Sequence, residues 1–184
     1  MGEILVRKAS EKDAAALLEI YAPYVRNTAV SFEYEVPSPG EFAARIRNTE
    51  RTHPYLAAEE NGEIIGYAYA GPFIRRAAYD RCAETTVYVR EDRRRRGAGA
   101  ALYEALEETL TARGILNLYA CIAVTEDPAD PYLSNDSLLF HLRQGFSLCG
   151  RFRSCGYKFG RWYDMVWMEK LTGKHPVSGT PDAR

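Results

Sequence analysis

A chain of 184 residues is long enough for one domain with a sizeable core and short for two. With 24 Lys+Arg against 25 Asp+Glu the net charge is -1, which disfavours a generally basic nucleic-acid binder, while 46% hydrophobic and 27% charged residues suit a globular protein in water. Four widely spaced cysteines without a Cys-x-x-Cys pair, and three histidines, argue against a zinc site and for reduced thiols in a cytoplasmic protein; there is no signal-peptide run in MGEILVRKAS and no segment of bilayer-spanning length.

Ile4–Arg7 reads as a first strand. Ser10-Glu11-Lys12-Asp13 resembles a capping box, and Ala14, Leu17, Leu18, Tyr21 and Val25 then share one helical face. Residues 27–33 read as a connector with a short extended piece. Ser38-Pro39-Gly40-Glu41 signals a second helix, running to about Asn48. Asn61-Gly62 between the apolar runs 54–59 and 63–70 is a hairpin signal. Residues 73–81 form a loop carrying Arg75, Arg76, Tyr79 and Arg81. The β-branched and aromatic run Thr85–Val89 suits a strand. After a basic loop, Leu102, Leu106 and Leu110 give a helix an apolar stripe, and Gly114 stands where a left-handed cap belongs.

Residues 116–123 read as a central strand, 125–133 as an Asp/Pro-rich loop, and Ser134 to Arg143 as a capped short helix ended by Gly145. Two long strands, 146–159 and 162–171, flank a turn at Gly160-Arg161. The polar stretch 172–184 is expected to be a disordered tail after a single domain of residues 1–171. The order β-α-α-β-β-β-α-β-α-β-β implies a mixed α/β sheet with one right-handed parallel crossover, not a doubly wound parallel fold.

The loop Arg94-Arg95-Arg96-Gly97-Ala98-Gly99 fits R-x-x-G-x-G. Glycines admit close backbone approach, a helix N-terminus offers unpaired N–H groups, and arginines add charge-assisted bonds, so the loop suits a phosphate. It is neither a P-loop nor G-x-G-x-x-G. An ordinary strand-to-helix turn with solvated arginines reads equally well from the loop alone.

Several segments in unbroken order carry a resemblance. Thr28-Ala29-Val30-Ser31-Phe32, Gly66–Phe73, Ala78-Tyr79-Asp80, Glu84–Val89, the glycine loop, His141 ahead of Gly145-Phe146, and Gly156–Asp164 together resemble the GNAT superfamily of acyl-CoA-dependent N-acetyltransferases, in its phosphinothricin acetyltransferase-like branch. The resemblance spans residues 3–170 and implies the GNAT fold, a mixed central sheet of about seven strands with flanking helices. It implies acetyl-CoA as co-substrate, its pyrophosphate on Arg94, Arg95, Arg96, Gly97, Ala98, Gly99 and Ala100, and its pantetheine arm along Val87, Tyr88 and Val89. A further contact is carried to Ser134 or Asn135.

The resemblance places the general base at Glu84 and the acid at His141, with Tyr132 an alternative acid. Taken alone, Glu84 reads as a surface carboxylate and His141 as a structural hydrogen-bonder. The acceptor would meet Phe32, Arg75, Arg76 and Tyr79, an arginine holding its carboxylate or phosphinate. Arg81 departs from the aromatic residue of close relatives, and the 125–133 loop is longer than theirs. Lys158, Trp162 and Asp164 belong to a motif whose role is structural or at a dimer contact. The expected activity is N-acetylation of a small amino-acid-like amine by a homodimer, without metal, nucleic acid or membrane. The rivals are a GNAT enzyme for another amine, which the arginines disfavour if it is cationic, and a non-catalytic acetyl-CoA-binding module.

Overall fold

The computed structural model describes residues 2–175 as one seven-stranded mixed sheet with helices on both faces. The strands are β1 (Ile4–Lys8), β2 (Tyr55–Glu60), β3 (Glu63–Pro72), β4 (Cys82–Val89), β5 (Asn117–Val124), β6 (Ser147–Lys158) and β7 (Arg161–Leu171). The helices are α1 (Ala14–Asn27), α2 (Pro39–Glu50), α3 (Ala98–Ala112) and α4 (Asp136–Arg143), and the sheet order is β1-β2-β3-β4-β5-β7-β6. Element order and sheet class are as the sequence predicts. The one parallel pair, β4 with β5, is bridged by α3, which is the expected crossover.

Local chemistry explains most boundaries. Ser38 caps α2 in a reciprocal box with Glu41. Asn61 and Gly62, at φ 54° and 80°, turn the β2–β3 hairpin. Gly114, at φ 77°, ends α3 while the Ile115 N–H donates back to the Leu110 carbonyl.

Three boundaries differ from expectation. The segment between Asn27 and α2 contains no strand. β4 begins at Cys82, so Glu84 lies inside the strand instead of at its start. The β6–β7 turn sits at Phe159-Gly160, both at positive φ, one residue earlier than glycine placement alone implies. Of the expected tail, Thr172 donates its N–H to the Leu116 carbonyl, and residues 176–184 lie outside those described.

Two cores result. On one face α3 buries Leu102, Leu106 and Leu110 against Leu56, Ala68, Leu118 and Met168. On the other, α1 and α2 pack Leu17, Val25, Phe42 and Ile46 on a sheet of stacked tyrosines, Tyr55, Tyr67 and Tyr69. Removing a fully buried leucine from such a core costs about 2–5 kcal/mol. No helix among the described residues is long and apolar enough to cross a membrane.

Candidate active site

The functional geometry begins with a missing half-ladder. β4 and β5 pair over Cys82–Glu84 and Asn117–Tyr119 and then diverge, while β3 stays paired with β4 as far as Val89. The Arg90 N–H donates to the Ile65 carbonyl, and the β3–β4 register continues without a shift. By antiparallel alternation, Glu84, Thr86 and Tyr88 bond to β3, whereas Thr85, Val87 and Val89 turn their main-chain groups toward β5. The Val89 carbonyl is taken by the Tyr24 hydroxyl. The expectation for Val87, Tyr88 and Val89 thus narrows: Val87 presents its backbone to the gap, and Tyr88 spends its own on β3. Val30, Thr85–Tyr88, Ala120–Ala123, Ser137 and His141 line the resulting cleft.

Side chains alternate likewise. Thr85 faces α3, and Glu84, Thr86 and Tyr88 face the α1 side. Glu84 is half-buried where the two strands part, next in register to Gly71 and Tyr119. Burial raises its pKa above the ordinary carboxylate value. Its negative charge also acts on Cys121, whose thiol, on a residue exposed as a whole, is raised chiefly by local desolvation and so stays protonated near pH 7. Around this point Phe73 stacks on Tyr119 at 4.0 Å and meets Trp167 and Tyr79 edge-on at 5.5 and 6.0 Å.

His141, on α4, is 4% exposed. Nδ1 lies 2.7 Å from the Ser137 carbonyl, which only accepts, so Nδ1 carries the proton. Nε2 lies 2.7 Å from the Tyr103 hydroxyl and accepts from it. Thr85 Oγ1 lies 3.1 Å from both the Tyr103 hydroxyl oxygen and the Tyr119 carbonyl, and since Tyr103 gives its only proton to His141, the single Thr85 proton serves one of these two acceptors. Burial drives the His141 pKa down to about 4, so the ring is neutral near pH 7. Both nitrogens of the expected acid are engaged.

Gly97, φ 95°, is the N-cap residue of α3, and no side chain caps the first turn. The N–H groups of Ala98, Gly99 and Ala100 therefore open the helix without a side-chain acceptor. A Cβ on Gly99 would come within 3.2–3.3 Å of the Phe140 ring. The arginines divide. Arg93 pairs with the buried Glu60 at 2.9 Å and with Glu63 at 3.3 Å. Arg94 lies over the Tyr24 ring at 5.0 Å, Arg95 reaches Asp136 across the loop, and Arg96 is exposed.

The remaining predicted site residues scatter. Arg75 and Arg76 are exposed on the loop before β4. Phe32 packs near Tyr163, 6.4 Å between ring centroids, in a cluster with Ala123 of the cleft. Ser134 is exposed, while the Asn135 side chain closes its own loop by bonding both main-chain groups of Thr125. Tyr132 stacks on Phe159 at 4.3 Å. Arg81 holds the start of β5 through its carbonyl, which accepts from Leu116 and Asn117, and its guanidinium lies near Gly114. Sequence reasoning missed Tyr103, Thr85, Cys121, Phe73, Tyr119 and Trp167. All six join through tertiary contacts that no local pattern encodes.

A family profile described as an acetyltransferase (GNAT) domain matches residues 6–167. The chain is 35% identical over 172 residues to a phosphinothricin N-acetyltransferase of Streptomyces coelicolor, covering 91% of this chain and 96% of that one. It is 32% identical over 166 residues to an L-methionine sulfoximine/L-methionine sulfone acetyltransferase of Pseudomonas aeruginosa, covering 89% and 92%. The solved structure of a phosphinothricin acetyltransferase from Sinorhizobium meliloti in complex with acetyl-CoA superposes with a TM-score of 0.85 at 32% identity, covering 98% of this chain and 94% of that one. A parted β4–β5 pair, an uncapped glycine helix start and a desolvated carboxylate at the fork thus occur in a chain that belongs to the GNAT family of acetyltransferases.

Proposed function

We propose that the chain moves the acetyl group of acetyl-CoA to the amine of a small amino-acid-like acceptor, of the phosphinothricin or methionine sulfoximine kind, with both bound at once. The observation that carries this reading is Glu84, a desolvated carboxylate where the parted strands expose the backbone of Val87. Acetyl-CoA supplies the thioester. The Val87 main chain pairs with the extended arm of the co-substrate and donates toward the thioester oxygen. The first turn of α3, Gly97 and Gly99, with Arg94, Arg95 and Arg96, receives the pyrophosphate. Ser134 lies nearby in chain order, but Asn135 is committed to Thr125.

The amine nitrogen forms its bond to the thioester carbon as one of its protons passes to Glu84, directly or through water, and the C–S bond breaks toward a thiolate that takes up a proton. Raised basicity suits Glu84 to this task. His141 keeps the acid role only through its protonated fraction, about one molecule in a thousand at pH 7 for a pKa of about 4. Its neutral ring also holds Tyr103, whose hydroxyl lies against Thr85 of β4. Glu84 is therefore the stronger arm of the proposal. Arg75 or Arg76 would hold the acceptor's anionic group, with Phe32 and Tyr79 as walls.

The reading needs no metal, nucleic acid or membrane and places the enzyme in the cytoplasm. It includes a homodimer, supported by exposed Leu148, Phe152, Tyr157 and Trp162 on β6 and β7. The test is release of free CoA thiol from acetyl-CoA across a panel of amino acids and amines. Phosphinothricin or methionine sulfoximine should raise the rate well above hydrolysis, and Glu84→Gln should lower kcat by about 10²–10⁴-fold. A panel in which no amine exceeds hydrolysis defeats the proposal, and full activity in Glu84→Gln removes that residue from it.

A further inference from the structure

Lys158 is a buried cation that acyl transfer leaves without a task. It ends β6 and is 2% exposed, a rare state for lysine unless its charge is met. Its partners are not carboxylates. Nζ donates to three main-chain oxygens, Val25 at 2.8 Å, Thr28 at 2.9 Å and Ser31 at 2.6 Å, which uses all three of its protons. Val25 lies in the last turn of α1, where carbonyls lack helical partners and the helix dipole is negative. Thr28 and Ser31 belong to the following loop, which has no regular structure of its own. A single ammonium thus gathers a helix end and a loop that lie more than a hundred positions earlier in the chain.

The same β6–β7 hairpin shapes that loop at two further points. A Cβ on Gly156 would overlap three carbons of the Phe32 ring, so the missing side chain is where Phe32 rests. Tyr163 of β7 meets the Phe32 ring from beside it. The loop is also tied by the Ala29 N–H to the Tyr132 carbonyl at 2.9 Å and by Ser31 to Tyr21 at 2.7 Å. Its Val30 lines the cleft across from Thr85–Tyr88.

We propose that Lys158 is a positioning residue whose three-point grip on Val25, Thr28 and Ser31 sets the Val30–Phe32 wall of the cleft and so governs affinity for the acceptor. The grip stands on its own geometry; the assignment of the wall to the acceptor rests on the acyl-transfer reading above. An ammonium points three donors from one centre, whereas a guanidinium spreads its donors in a plane, so arginine keeps the charge and loses the tripod.

The test compares wild type, Lys158→Met and Lys158→Arg by hydrogen–deuterium exchange with peptide mass analysis, and by steady-state kinetics with L-methionine sulfoximine as acceptor. Both variants should exchange about tenfold faster or more over residues 28–33, with the β2–β3 hairpin unchanged. Acceptor KM should rise about tenfold while acetyl-CoA KM stays within about twofold. Unchanged exchange over 28–33 in Lys158→Met overturns the grip. Acceleration throughout the chain also overturns it, because the lysine would then serve only overall stability. Wild-type exchange in Lys158→Arg shows that charge suffices and overturns the three-point geometry. Faster local exchange with an unchanged acceptor KM overturns the assignment of the wall. A wild type that acetylates no amine defeats the acyl-transfer reading, and the exchange measurements still decide the grip.

Discussion

Consider wild type and His141→Gln taken from pH 7 to pH 4, with urea unfolding followed by far-UV circular dichroism at each step. Folded His141 titrates at about 4 because burial disfavours the imidazolium, while in the unfolded chain it returns to its ordinary value of about 6.5. Between those values the unfolded chain holds a proton that the folded chain does not. The stabilisation is therefore fully present above about pH 6.5 and is lost as pH falls toward 4, at about 1.4 kcal/mol per pH unit, or about 3 kcal/mol in all. Asp13 beside Arg7, and Asp164 beside the Ser154 N–H and Arg151, also lose stabilisation in acid, since their pKa values are lowered. Both proteins share those losses, so the difference between the two curves isolates His141. Glutamine offers a donor and an acceptor in place of the ring nitrogens. Wild type should lose about 3 kcal/mol more than His141→Gln between pH 7 and pH 4, at unchanged m-value. Curves that stay parallel within about 0.5 kcal/mol would refute the closed, neutral histidine and return His141 to service as an imidazolium acid at neutral pH.

Four other outcomes follow from the geometry. Glu84→Gln should raise Tm at pH 7, because a desolvated carboxylate with a raised pKa opposes folding once ionised, and the gain should shrink as pH falls through that raised pKa and vanish below the ordinary carboxylate value; differential scanning calorimetry at two pH values reads it. Gly97→Val should weaken acetyl-CoA binding by at least about tenfold in calorimetric titration, since φ 95° strains any β-branched residue at the start of α3. Arg93→Ala should cost about 2 kcal/mol of stability by leaving the buried Glu60 carboxylate short of its partner, whereas Arg96→Ala should leave urea unfolding unchanged and weaken acetyl-CoA binding in a salt-dependent way.

The order of elements was legible because most boundaries are written in local chemistry: Ser38 with Glu41, Asn61-Gly62, Gly114. The β6–β7 turn slipped by one because Phe159 takes a positive φ that residue type argues against. Glu84 and the glycine loop were legible as parts of a motif, but the desolvation of Glu84 was not, since it depends on neighbours from β3 and β5. Arg93 illustrates the limit well. The loop motif begins at Arg94 and leaves Arg93 without a partner, and only folding brings Glu60 from β2 to supply one. Lys158 looked like a motif member, and its three carbonyls lie at the far end of the chain. Asn135 stands in the sequence as a candidate contact beside Ser134, and only the fold shows its amide bonded to Thr125 across a loop ten residues wide.

The short β4–β5 ladder has a consequence for the protein when it is empty. Past Glu84 and Tyr119 the two strands no longer pair with each other, which leaves interior rims of the kind that elsewhere invites pairing with foreign strands. A bound extended molecule would complete the ladder and join the β1–β4 and β5–β7 halves, which otherwise touch as sheet only over three residue pairs. On the proposed reading that molecule is the acetyl-CoA arm, and its supply would then stabilise the fold. At a ligand concentration of about one hundred times Kd, occupancy adds about 2.7 kcal/mol to stability. Starved of it, the same chain is left with an open seam through its middle, so its resistance to aggregation and proteolysis should track the abundance of its co-substrate.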